Sequence, residues 1–172
     1  VRKGYEKNRV LAVEIATDGS MSRDVGVRYG GTQHPIEKLP DEVLARVRAE
    51  GNKSLTVFEP EHMKDTLNAI GFTKWFQCLD KALGKVGKTR ADLGYLNILH
   101  FKPSMHAALL DELGLREDQS YYLRDYGHLG QLDQVVSIHE GLATGRLQDG
   151  HLMAMLAAGI GYVWGAALVQ WG

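Results

Sequence analysis

The chain has one cysteine, Cys78, in 172 residues. A single thiol excludes an internal disulfide and a zinc site built on four cysteines. It points to a reducing compartment, the cytoplasm. Excess charge of one sign is also lacking: 20 Lys and Arg oppose 21 Asp and Glu, for a net charge of -1. No sequence-wide basic field exists to hold nucleic acid or an anionic membrane surface. Prolines are few, four in all. Among motifs, there is no GxxxxGK[ST] phosphate loop, no GxGxxG after a strand and no GxSxG nucleophile elbow. His100 and His106 are not spaced i, i+4 as a helical zinc pair would be, and no metal or other cofactor is expected. The opening Val1–Lys7 is polar, without the apolar stretch of a secretory signal.

Apolar residues make up 44% and charged residues 24%, enough to bury a core. Glycine is abundant, 20 residues, which implies many tight turns or close backbone approaches. Residues 152–171 carry no charge, a membrane-span length with Gly161 and Gly165 spelling GxxxG. Gly159 and Gly161 interrupt this run, where a helix would lose about 1 kcal/mol at each. No Lys/Arg cluster flanks it. Two buried strands around a glycine turn are expected instead.

Residues 8–17 alternate as a strand. Pro40 with Asp41 and Glu42 opens a helix running to Gly51. Ser54–Phe58 reads as a short strand, and Pro60 opens another helix. Phe72, Trp75, Phe76, Leu79, Leu83 and Val86 form one stripe of a further helix, with Cys78 off the stripe. No histidine lies near Cys78 in sequence to activate it as a nucleophile. Tyr95–Phe101 is a buried strand. Pro103 starts a helix with Met105, Leu109 and Leu113 inward, stopped by Gly114. Ser120–Leu123 is a possible strand. Leu132–Leu147 is a helix with Leu132, Val135, Val136, His139, Leu142 and Ala143 on one face. Strand–helix alternation from Ser54 onward argues a mostly parallel sheet covered by helices.

In open α/β sheets, sites gather at the carboxyl ends of strands. His100 ends one strand, His128 lies between Gly127 and Gly130, and Gly159-Ile160-Gly161 breaks the last strand pair. Imidazoles and a glycine-flanked N–H can donate to a carbonyl oxygen that becomes an oxyanion. The competing expectation is that His100 is a strand-end histidine satisfied by backbone and His128 a turn residue.

Two motifs add a resemblance. Residues 126–130 (YGHLG), followed by a helix ending in residues 141–147 (GLATGRL), resemble the YGN(T/S) turn and following helix of the beta-ketoacyl-ACP synthase III family. Residues 158–171 (AGIGYVWGAALVQW) resemble that family's closing GFGxGxTWGAALxRW. Residues 99–101 (LHF) resemble the strand end carrying its HQAN histidine.

The resemblance implies the C-terminal half of a thiolase-fold condensing enzyme. The implied fold is α/β, a mostly parallel, mixed five-stranded sheet covered by helices, over residues 54–172. Residues 1–53 would be the last strand of an N-terminal half plus connecting loop and helix, with residues 8–17 belonging to an absent sheet. The implied reaction is decarboxylative Claisen condensation of an acyl thioester, acyl-CoA or acyl-ACP, with malonyl-ACP. His100 would hold the malonyl thioester carbonyl, and His128 stands where the family has asparagine. The N–H of Ile160, between Gly159 and Gly161, would be the oxyanion donor. Lys102 would take over part of the charge of the family's lost HQANxR arginine, near the carrier. The nucleophilic cysteine would lie in an N-terminal half, and Cys78 does not match it. The resemblance also implies a homodimer, with neither nucleic acid nor membrane as partner. The alternative is a non-catalytic thiolase-like binding or dimerisation domain, and a third reading is a small membrane protein anchored by residues 152–171.

Overall fold

The computed structural model describes residues 4–50 and 55–172. In chain order the elements are β1 (Arg9–Thr17), β2 (Val25–Gly26), α1 (Asp41–Glu50), β3 (Thr56–Val57), α2 (Pro60–Lys85), β4 (Leu93–Ile98), α3 (Pro103–Leu113), α4 (Leu132–Ala143), β5 (Leu152–Gly159) and β6 (Val163–Gln170). They fall into two compact units. The larger has the described residues up to 16 together with 71–159 and 163–172; the smaller has the described residues of 17–70 together with 160–162.

The larger unit is built on a mixed sheet in the order β1-β6-β5-β4. β4 and β5 run parallel, with Leu96 opposite Ala154 and Ile98 opposite Leu156. β5 and β6 form an antiparallel pair from Leu152 opposite Gln170 to Gly159 opposite Val163. The uncharged run is therefore the strand pair that its mid-run glycines predict. No helix among the described residues is long and apolar enough to cross a membrane.

The α/β class is as expected, but the main sheet has four described strands, not five. Ser120–Leu123 contributes one parallel bridge, Leu96 to Ser120; the Ser120 hydroxyl donates to the Leu96 carbonyl at 2.9 Å instead of a strand extending the ladder. β3 pairs with β2 in a separate two-stranded sheet. Ser54, the start of the strand expected there, lies outside the described residues, as do Gly51 and the 53/54 boundary. β1 is the edge strand of the main sheet, hydrogen-bonded to β6.

The two helices expected from Pro60 and Phe72 are one 26-residue helix, α2. Its buried stripe includes Cys78 and Ala82 beside Trp75, Leu79 and Leu83, wider than the aromatic spacing alone suggests. The Trp75 indole N–H donates to the Ala157 carbonyl at 2.8 Å, and the Cys78 thiol to that of Trp164 at 3.7 Å. These bonds seat the helix against β5 and β6. On α3, Gly114 takes the left-handed conformation that ends a helix. His106 is buried there with Leu109 and Leu113, while Met105 faces solvent.

α4 turns the opposite face inward from the one its apolar residues suggest. Asp133, Ser137 and Gly141 are buried, and Leu132, Val135 and Leu142 are exposed. The inner face is set by β4. The Tyr95 hydroxyl donates to the Ser137 carbonyl at 2.7 Å, and the Asn97 amide to that of Gln134 at 2.9 Å. Ile138 adds an apolar contact to a cluster of Tyr95, Leu147, Met153 and Val169.

In the smaller unit, Asp18 and Tyr162 exchange backbone hydrogen bonds at 2.9 and 2.8 Å. The pair holds the turn of residues 160–162 to the chain just after β1. A buried Asp24 carboxylate pairs with His62 Nδ1 at 2.8 Å.

Candidate active site

The end of β4 and the start of α4 meet at one buried carboxylate. Asp133 lies in the first turn of α4 and is fully buried. Its Oδ2 accepts the backbone N–H of His100 at 2.8 Å. The same oxygen lies 2.6 Å from Nδ1 of His128. Its Oδ1 accepts the backbone N–H of Leu129, also at 2.6 Å. A buried carboxylate is tolerable only with such a set of donors. Burial pushes its pKa up, but the N–H groups of His100 and Leu129 and the ring of His128 outweigh burial and hold it below the ordinary value. Asp133 is therefore ionised near neutral pH. Both histidines singled out in the sequence are fixed by it, His100 by main chain and His128 by its ring.

The two rings differ in setting. The His128 side chain is more than half exposed. The His100 ring stacks on Tyr122, centroids 5.2 Å apart, and its Nδ1 is buried without a hydrogen-bond partner. Tyr122 is held by donating its hydroxyl to the Phe101 carbonyl at 3.1 Å. His106 completes this cluster edge-on to Tyr122. Burial, then the proximity of His100, lower its pKa to about 4. A cavity of about 590 Å³ opens beside it, lined among others by His106, Leu110, Tyr121, Tyr122 and Arg146. Neither His100 nor His128 lines that cavity.

The remaining predicted residues lie as follows. Lys102 is exposed and immediately precedes α3, its carbonyl accepting the N–H groups of Met105 and His106. Gly159 ends β5, and a Cβ there would meet Val163 at 3.2 Å. Ile160 and Gly161 belong to the smaller unit; Ile160 is half exposed, and Gly161 has φ +150°. Cys78 is buried, and burial, then the Glu14 carboxylate, raise its thiol pKa, the reverse of what a nucleophile needs.

Asp133 is the residue that sequence reasoning missed. The spacing carries a partial signal: Asp133, Ser137 and Gly141 form an i, i+4, i+8 row of polar and small residues just after the His128 turn, which marks an inward face but not the donors that a buried carboxylate needs.

The family model for the 3-oxoacyl-[acyl-carrier-protein] synthase III C terminal matches residues 83–171. The chain belongs to this family. A beta-ketoacyl-[acyl-carrier-protein] synthase III of Synechococcus elongatus is 29% identical over 174 residues, covering 100% of this chain and 49% of the relative. That of Microcystis aeruginosa is 23% identical, covering 96% of this chain and 47% of the relative. Among solved structures, 3-oxoacyl-(acyl carrier protein) synthase III from Pseudomonas aeruginosa superposes with a TM-score of 0.74 at 17% identity, over 99% of this chain and 47% of that one. OleA of Xanthomonas campestris does so with a TM-score of 0.66 at 15% identity, over 95% of this chain and 39% of that one. The synthase III C-terminal chain thus spans about half the length of the curated relatives it matches. Cys78 lies before the family match, in α2.

Proposed function

We propose that this chain supplies the thioester-binding half of a synthase III-type condensing enzyme. In the proposed reaction an acyl thioester, on CoA or ACP, condenses with malonyl-ACP after loss of CO₂. The observation that carries the reading is the common anchoring of His100 and His128 on Asp133. Its three acceptor bonds hold the histidine-bearing segments together at the end of β4.

His100 would donate from Nε2 to the malonyl thioester oxygen; its enclosed, unpartnered Nδ1 leaves Nε2 as the working atom. His128, its Nδ1 held by Asp133, would donate to the same oxygen from Nε2 once its ring is protonated. The N–H of Ile160, between Gly159 and Gly161, would be the donor to the acyl-enzyme carbonyl. Lys102, exposed beside α3, would face an anionic carrier. The acyl group would be carried by a cysteine of an N-terminal half, since Cys78 is buried and its thiol pKa is raised. We assign residues 54–172 to the half-domain, 1–53 to its connection with that other half, and the whole to a homodimer in the cytoplasm.

The test adds a cysteine-bearing N-terminal half and measures condensation. His100→Ala should lower the rate by about 10²–10³, the usual cost of losing one oxyanion donor. An unchanged rate would remove His100 from the site. Condensation by this chain alone that survives Cys78→Ala would overturn the assignment of the nucleophile to another half.

A further inference from the structure

The His128–Asp133 contact fixes more than position. An ionised carboxylate only accepts hydrogen bonds. The 2.6 Å contact between Asp133 Oδ2 and His128 Nδ1 therefore requires the proton on Nδ1. Asp133 cannot turn to offer anything else, because its other oxygen is engaged by the Leu129 N–H and Oδ2 also takes the His100 N–H. The neutral His128 ring is thus held in one tautomer, with a lone pair on Nε2. Among the described residues none hydrogen-bonds Nε2, and the side chain is more than half exposed. An asparagine amide could donate from this position but could not accept a proton. A histidine backed by a buried carboxylate can, because the imidazolium it becomes lies against a negative charge.

We infer that Asp133 makes His128 a proton-accepting base, able to enolise an acyl thioester without decarboxylation. The inference rests on the thioester reading of the same site. In the step, Nε2 of neutral His128 takes a proton from the carbon alpha to the thioester carbonyl. The C–H bond breaks and an N–H bond forms. The electron pair passes into the C–C bond of the enolate, and the negative charge settles on the thioester oxygen. The imidazolium is balanced by the Asp133 carboxylate. Decarboxylation generates the same enolate from a C–CO₂ bond and needs no base. The two routes therefore separate at His128. Asp133 acts only through the ring, as a positioning residue.

Two measurements on the protein carrying this chain test the inference. Nitrogen NMR of labelled histidine should place the neutral-ring proton of His128 on Nδ1. In Asp133→Asn that preference should be lost. In D₂O, the α-hydrogens of acetyl-CoA should exchange with solvent in the presence of the protein. His128→Asn keeps the Asp133 bonds to backbone, so it tests the base even where Asp133→Asn fails to fold. Exchange should fall by about 10²-fold or more in His128→Asn, the usual worth of a positioned base, and by much more than malonyl-CoA decarboxylation, for which the asparagine amide still supplies a donor to the thioester oxygen. A neutral-ring proton on Nε2, or exchange undiminished in His128→Asn, overturns the inference. Decarboxylation of malonyl-CoA without acetyl-CoA exchange also overturns it and leaves the thioester reading standing. Absence of both reactions with the Nδ1 tautomer intact sinks the thioester reading, and the base with it.

Discussion

The Tyr95 hydroxyl lies so close to Gly141 that a Cβ built on that glycine would meet the oxygen at 2.6 Å and Cζ at 2.8 Å. Tyr95 cannot retreat, since it is fully buried and bonded to Ser137. Alanine is a better helix former than glycine by about 1 kcal/mol, but overpacking a fixed ring costs about 1–3 kcal/mol. Gly141→Ala should therefore lower the urea midpoint. Gly84, in α2, has nothing within 4 Å of its Cβ position, so Gly84→Ala should raise it. A Gly141→Ala protein as stable as the wild type would mean that α4 does not seat on Tyr95.

How much of this was legible beforehand depends on what each signal measures. The strand pair of residues 152–170 was readable because glycines inside an uncharged run argue against a long helix. Gly114 marked the end of α3 for a backbone reason, its φ of +68°. His100 and His128 were readable as strand-end and turn histidines, and they share a carboxylate. Asp133 was not anticipated, because a buried charge is recognisable only once its donors are known, and two of the three are backbone N–H groups. The orientation of α4 failed for a related reason. Periodicity reports that a face is apolar; it does not report that the covering surface lies in the same chain. Ser120–Leu123 has strand-like composition, but the Ser120 hydroxyl takes the Leu96 carbonyl.

Cys78 gives a chemical prediction. Burial and Glu14 keep its thiol protonated near neutral pH. Native protein should resist iodoacetamide and react only after unfolding. Cys78→Ala should cost roughly 1 kcal/mol of stability, about one small buried group. It should leave acyl transfer by the assembled enzyme unchanged. Rapid native labelling, or loss of transfer in Cys78→Ala, would return this thiol to the list of nucleophiles.

His106 sets a pH dependence. Its pKa is lowered from 6.5 to about 4 by burial and by His100. Between those values the unfolded chain binds a proton that the folded chain does not. Stability linked to His106 is therefore fully present above pH 6.5, falls as pH drops through the window, and is lost below about 4. Urea midpoints measured between pH 4 and 7 should fall toward acid, and His106→Gln should flatten the slope. A midpoint that rises on acidification, or a slope untouched by His106→Gln, would contradict a neutral buried ring.

The outer face of α4 gives the sharpest test of an incomplete fold. Leu132 is 59% exposed, Val135 60% and Leu142 46%. An apolar helix stripe of this kind is usually buried against something. Because these side chains face away from β4, Val135→Lys and Leu142→Lys should change the chain's own stability by no more than about 0.5 kcal/mol. If an N-terminal half covers this stripe, each apolar side chain contributes roughly 1.5–3 kcal/mol to the association. Each substitution should then weaken binding of that half by at least about tenfold. Sedimentation of the two halves mixed, with and without Val135→Lys, measures this directly. Lysine variants that unfold the chain would show that α4 is covered from within. Variants that assemble as tightly as the wild type would show that the partner docks on another face, and the argument for a covered α4 would fail with them.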